Sequence, residues 1–408
     1  MKKVLIVGAG AQGGPCASIL SRDKDVSEIV LGDIDLELAN EVKNKIKSDK
    51  ITVVKLDAGK VEDIRSAAKG ADVIINLTLI RFNANVMQAA VESGAHYVDS
   101  ASGEPFWTQL TEGQPLEFDD EFRKAGLTAL IACGGTPGLT NVLIRYTCDK
   151  LDRVDEIHIR AGRKRLEEPK EVVSAWEPGW CPEVALTDYA EPPGVFENGK
   201  SRVYPIFSGC EEYAFPDPVG PVVVTYHAHE ESVTLPRFIG KGIKYCDFKY
   251  PIDPIAGALV KMGFANTEPR DVKGAKVKPM DVIMALVRQP VNTFLGEDEA
   301  AVGRPPTSVS FIVMEIKGAK SGEDVTYKLI RRSATAEENL RLYKKFGTAL
   351  IFVALPAIVG ARMCVAGEAE RGVIAPECLE AKGFLKRMAD AGAPVQFEEI
   401  CSKEVSVC

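Results

Sequence analysis

The chain opens on a short, wholly apolar run, Val4-Leu5-Ile6-Val7, and strand-like runs return at Glu28–Leu31, Ile51–Lys55, Val73–Ile75, His96–Val98 and Leu127–Ala132. Short apolar runs of this kind are what strands buried on both faces require. Between them, helical periodicity runs from the glycine-rich turn to about Arg22, from Asp35 to about Lys47, and around 61–69, 84–93 and 118–124. Strict alternation of strand and helix forces parallel pairing, because each helix returns the chain to the same edge of the sheet. Residues 1–150 therefore predict a doubly wound α/β domain of Rossmann type.

The pattern then changes. Val154–Ala161, Val222–His229, Val309–Ile316 and Val325–Ile330 read as strands. Several alternate with polar residues, as an antiparallel sheet with one wet face would. Helical periodicity resumes near Ala336, and the most apolar stretch, Thr348–Val359, contains Pro356. It is shorter than the ~20 residues a membrane span needs, so it reads as a buried helix.

Composition narrows the field. At 408 residues, with 46% hydrophobic and 26% charged, the chain is long enough for two or three domains. Its net charge of −8 and pI near 5.4 argue against nucleic acid and against anionic membranes, leaving small molecules as partners. Ten cysteines are scattered without a C-x-x-C pair, and MKKVLIVGAG runs into a strand rather than a signal peptide. Both point to a reducing cytoplasm. Ser402–Cys408 reads as a frayed tail.

Gly8-Ala9-Gly10-Ala11-Gln12-Gly13 is G-x-G-x-x-G between a strand and a helix, the setting in which that motif binds a dinucleotide. Gly8 makes the turn, Gly10 admits the pyrophosphate, and Gly13 lets helix and strand close up. Asp33 follows Gly13 by 20 residues, at the end of the second strand. A carboxylate there suits ribose hydroxyls and repels a 2′-phosphate, which favours NAD over NADP. Asp35 reads as a helix cap, and Asp57-Ala58 as a neighbour of the adenine. In open parallel sheets the reacting end lies at the carboxyl edge. That places Leu77, Thr78, Ser100, Gly135, Thr136, Pro137 and Gly138 around the nicotinamide.

GAGAQGG at the start, HYVDSASGE at 96–104 and ACGGTPGLTNVL at 132–143 together resemble the saccharopine dehydrogenase-like oxidoreductases. FPDPVGPVVVTYHAHEESVTLPR at 215–237 and GVIAPECL at 372–379 extend the resemblance over nearly the whole chain. It implies hydride transfer between a nicotinamide cofactor and a carbon bearing nitrogen. It also implies an inserted α+β domain that binds substrate and makes a homodimer, and a C-terminal return onto the cofactor domain. The expected division is 1–150 with 337–408, and 151–336. The chain departs from the glutamate-forming enzymes at two places. Thr136 stands where they have a proposed acid/base Asp, and Gly94-Ala95 where they have a proposed partner Lys. Lysine 6-dehydrogenase-like sequences also lack that Asp, which shifts the expectation toward direct amine oxidation.

Removing hydride from an amine needs a base to take one proton first. Asp99 and Glu104, after the fifth strand, are the candidates; their plain alternatives are a cap and a surface carboxylate. Arg160 and Arg163 could hold a substrate carboxylate bidentately, and Trp176 could line the pocket. His227, His229 and Glu231 would share one strand face, but no further ligand cluster supports a metal, and none is expected. The reading is an NAD-dependent dehydrogenase of a basic amino acid, opine-like amino acid or polyamine adduct. Two alternatives remain open: a homospermidine synthase-like transferase that does not consume NAD, and an NAD-binding regulator without catalysis.

Overall fold

The computed structural model describes residues 1–167, 176, 178, 180–287 and 290–403. The tail from 404 onward, and Ser174, Ala175, Glu177 and Gly179 beside Trp176, lie outside them.

The first sheet holds β1 (Lys3–Val7), β2 (Glu28–Asp33), β3 (Ile51–Lys55), β4 (Val73–Asn76), β5 (His96–Asp99) and β6 (Thr128–Leu130). In the second domain come β7 (Arg153–Arg165), β8 (Gly194–Glu197), β9 (Lys200–Val203), β10 (Glu211–Ala214), β11 (Pro221–Tyr226) and β12 (Tyr245–Tyr250). A small hairpin, β13 (Arg270–Val272) and β14 (Ala275–Val277), is followed by β15 (Ser308–Lys320) and β16 (Glu323–Arg332). The chain closes with β17 (Gly372–Ile374) and β18 (Glu398–Ser402).

The first sheet is wholly parallel, in the order β17-β6-β5-β4-β1-β2-β3. The order reverses between β1 and β4, so the crevice for a ligand opens there. Helices cover both faces, and Val4, Ile6, Ile29, Leu31, Val73 and Ile75 pack into one continuous core. Local signals set the helix ends. Asp35 accepts from the amides of Glu37 and Leu38, and Lys43 and Lys45 sit in the last turn of Leu36–Ile46, where cations suit the dipole.

The second sheet runs β10-β11-β12-β7-β15-β16-β18, with β8 and β9 added beside β12. It is mixed rather than antiparallel, because β12 pairs with β7 in parallel. The chain returns to the first sheet through β17 beside β6. Its last strand does not stay there: β18 pairs with β16, so residues 398–402 belong to the second sheet. Two further expectations shift. The strand from Val222 stops at Tyr226, and a helix, Glu231–Ile239, starts where strand alternation was expected to continue. Within Thr348–Val359 the helix begins only at Ala354, because buried Glu297 holds Thr348 Oγ1 at 2.6 Å and the Ala349 amide at 3.1 Å. Among the described residues no helix is long and apolar enough to cross a membrane.

Candidate active site

The glycine loop is built from close approaches. Gly8 has φ +99°, and a Cβ there would stand 2.9 Å from the Leu77 carbonyl oxygen. A Cβ on Gly13 would stand 1.8 Å from the Gly8 carbonyl oxygen, so no other residue fits. Gly10 differs: nothing lies within 4 Å of a Cβ there. Asp33 braces this loop. One oxygen accepts from the Ala9 amide at 2.6 Å and the other from the Asp35 amide at 2.8 Å.

The remaining loops of the carboxyl edge touch one another. A Cβ on Gly134 would meet the Ser100 carbonyl oxygen at 3.0 Å, and one on Gly135 would meet the Phe352 carbonyl oxygen at 2.6 Å. Gly138, φ +123°, folds back onto Gly134. Thr136 is half-buried while Pro137 and Gly138 are buried, and Thr78 bonds its own turn through the Asn76 side chain. Asp57 caps its own turn at the Gly59 amide, 2.9 Å, and pairs with Lys60. Ala58 is buried beneath Asn85.

Asp99 faces inward. It is 1% exposed, with one oxygen on the Ala132 amide at 2.6 Å and the other on the Tyr97 hydroxyl at 2.8 Å. Burial pushes its carboxyl up to about 8, against these hydrogen bonds. It joins the loops after β5 and β6, with both oxygens engaged by the protein's own donors. Asp99→Ala should strip the acceptor from three buried donors, the Ala132 amide, the Tyr97 hydroxyl and the Asn83 side-chain amide, and lower stability by about 2–4 kcal/mol in denaturant unfolding. An unchanged midpoint would remove this role. Glu104 is exposed and accepts from the Thr108 hydroxyl at 2.7 Å.

Arg160 is also spent internally. Its fork takes Asp247 at 2.7 and 3.0 Å and Glu211 at 3.0 Å, so it has no arm left for a substrate carboxylate. Arg163 is exposed and close enough to Tyr250 to act on its ionisation. Trp176, 4% exposed, packs with Leu186, Tyr189, Ala256 and Met280.

The seam between the two domains holds a group that strand periodicity concealed. Glu230 accepts from the Ser102 amide at 2.8 Å, and Glu231 from the Thr140 hydroxyl at 2.6 Å, so both link the two domains. His229 Nδ1 bonds Glu231, and its ring stacks on Phe248 at 4.0 Å. Burial alone would lower this histidine; Glu231, Glu230 and Asp188 overcome it and raise it to about 9. Asp188 is pushed up to about 8 by burial and by Glu230 and Glu191, despite His229. His227 turns away into Tyr189 and Tyr250 and is driven down to about 3 by burial and the His229 charge. Behind them Asn141 donates to Thr234 and to Glu377, and burial lifts Glu377 to about 7. His229, Glu230 and Glu231 place one ligand atom each within 4.8 Å of one another. Glu230 and Glu231 are nevertheless engaged by Ser102, Thr140 and His229.

Residues 4–130 match the model of the saccharopine dehydrogenase NADP binding domain, and residues 134–393 that of the saccharopine dehydrogenase C-terminal domain. The chain belongs to the saccharopine dehydrogenase family. Within it, carboxyaminopropylagmatine dehydrogenase of Synechocystis sp. is 25% identical, covering 97% of both chains. Carboxynorspermidine synthase of Vibrio cholerae is 24% identical over 95% of both. In fold, the chain is similar to Saccharomyces cerevisiae saccharopine dehydrogenase (L-Glu forming), with TM-score 0.65 at 15% identity, covering 98% of this chain and 100% of that one. The NAD complex of Legionella pneumophila homospermidine synthase gives 0.61 at 12%, covering 98% and 91%.

The dinucleotide that saccharopine dehydrogenases bind fits the residues present. The open face of Gly10 leaves room for a pyrophosphate against backbone amides at the start of the helix Gly13–Ser21. In the same loop Gln12 Oε1 is buried with no partner among the described residues, an acceptor waiting for a donor.

Proposed function

We propose that this chain is an NAD-dependent dehydrogenase acting on CH–NH or CH–NH2 donors: a basic amino acid, an opine-like amino acid or a polyamine adduct. One observation carries the reading: the carboxyl edge of the cofactor sheet is bonded directly to a cluster of acids around one charged histidine, through Ser102–Glu230 and Thr140–Glu231. The relatives named for carboxylated polyamine chemistry support the substrate class.

When bound, the nicotinamide supplies the hydride acceptor. The protein does the rest. Glu191, Glu230 and, once it is deprotonated above about 8, Asp188 draw a substrate ammonium in, and Tyr189, Tyr250 and Trp180 wall its alkyl chain. His229 takes the amine proton on Nε2 while Glu231 holds Nδ1, which fixes the ring and steadies the imidazolium. With the amine proton on His229 and a bound nicotinamide as hydride acceptor, a C=N bond would be left, and the reverse reaction would return both.

Asp33 supports NAD as the cofactor, because its carboxylate sits at the end of β2 beside the glycine loop. Asp33→Ala should shift the NAD:NADP preference about tenfold toward NADP, the equivalent of roughly 1.4 kcal/mol. Titrating both cofactors by fluorescence reads it, and an unchanged ratio refutes the assignment. The same reading has a cytoplasmic homodimer. The nine free cysteines among the described residues support the compartment. Exposed Val203 and Val223, on neighbouring hairpins, support the pairing.

A further inference from the structure

The loop Gly134–Gly138, at the carboxyl edge of the cofactor sheet, runs directly into the helix Leu139–Cys148. Two adjacent residues in the first turn of that helix, Thr140 and Asn141, are polar yet only 1% and 0% exposed. A buried side-chain amide must find partners for both its oxygen and its nitrogen, and Asn141 finds them in three directions. Its Oδ1 accepts from the Gly138 amide at 2.9 Å. Its Nδ2 donates to Thr234 Oγ1 at 3.1 Å and to Glu377 Oε2 at 3.0 Å, partners 93 and 236 residues further along the chain.

Thr234 follows Glu231 by three residues on the helix Glu231–Ile239, so the two share one face of it. Thr140 to Glu231 and Asn141 to Thr234 are therefore paired pins, from adjacent residues of one helix to one face of the other. One pin would leave the second helix free to roll about its axis; two, a turn apart, stop it. What they fix is the carboxylate of Glu231, whose other oxygen holds His229 Nδ1. Glu377, wholly buried in the turn Pro376–Cys378, closes the joint from a third side. Cutting any of these bonds leaves a polar group unpaired in the interior, so the joint holds as a unit.

We propose that Asn141, acting through Thr234, is the positioning residue that sets the His229–Glu231 pair against the loop Gly134–Gly138, a role that rests on the amine-dehydrogenase reading above. Neither Asn141 nor Thr234 is a catalytic residue, since both side chains are engaged within the joint. Their contribution is geometric: they hold the proton acceptor at a set place relative to the loop where the reacting end of the cofactor would lie.

The test compares Thr234→Val with Thr234→Ser in the full chain. Valine keeps the shape and removes the hydroxyl, and serine restores it. With NAD and an oxidisable amine, Thr234→Val should lower kcat roughly 10- to 100-fold, the effect of displacing a reacting group by about an ångström, while KM and NAD affinity stay within about twofold of wild type. Thr234→Ser should recover the rate. In proton NMR of the unliganded chain, the downfield Nδ1–H signal of His229, assigned among the four histidines by its loss in His229→Asn, should move in Thr234→Val and return in Thr234→Ser. Asn141→Leu, which also releases the Gly138 amide, should in addition weaken NAD binding about 3- to 10-fold. Should that variant fail to fold, the Thr234 pair decides alone. A wild-type kcat with an unmoved His229 signal in Thr234→Val overturns the proposal, as does a loss that Thr234→Ser fails to recover. If the wild type oxidises no amine, the dehydrogenase reading fails, and the joint then stands or falls on the His229 signal.

Discussion

Gly10→Ala is expected to fold and melt like the wild type and yet to bind NAD about 100-fold more weakly. A Cβ at this position meets no protein atom within 4 Å, and Gly10 is not among the glycines with positive φ, so the folded chain tolerates alanine. The methyl instead occupies the space where a pyrophosphate would back onto the loop, costing about 2–3 kcal/mol of lost backbone hydrogen bonds. Gly13→Ala is the contrasting case. Its Cβ would lie 1.8 Å from the Gly8 carbonyl oxygen, so strand and helix must separate, and stability and cofactor binding should fall together. Calorimetric titration alongside thermal unfolding distinguishes the pair. If Gly10→Ala binds NAD normally, the loop is not the pyrophosphate cradle.

His229→Asn is expected to cut amine oxidation by roughly 10²- to 10⁴-fold, the usual worth of a positioned general base, while NAD affinity stays unchanged. The pH profile gives an independent reading. His229 is held protonated up to about 9 by Glu231 and its acidic neighbours, against burial. Oxidation needs the neutral ring, so kcat/KM should climb from neutrality and level off above about 9. Imine reduction needs the imidazolium and should fall over the same window. A flat profile in both directions, or a variant with full activity, would remove His229 from the chemistry.

The cofactor half was legible because its signals are local. Strands buried on both faces show as apolar runs, and the glycine loop needs only neighbours in sequence to explain it. The cleft was less so, because its contacts are long-range. Arg160 has the right chemistry for a carboxylate, but its partner Asp247 lies 87 residues away, a pairing that no spacing reveals. Asp99 ends the fifth strand at the edge of the sheet, as the pattern predicts; its turn toward Tyr97 and the Ala132 amide depends on a partner 33 residues away and leaves no mark in the sequence. His229 and Glu231 were noticed as one strand face. The strand ends at Tyr226, and the turn into Glu231–Ile239 makes them an ion pair instead.

The central claim is that this cleft oxidises amines with a bound nicotinamide. Its most direct test is the appearance of reduced cofactor when NAD and the purified chain meet lysine, ornithine, diaminobutyrate, saccharopine and polyamines in turn. The account expects NADH to accumulate with at least one carboxylated amine, faster at alkaline pH. Tight NAD binding with no NADH from any of them would contradict it, and would mark the chain as a binding protein in an enzyme's fold.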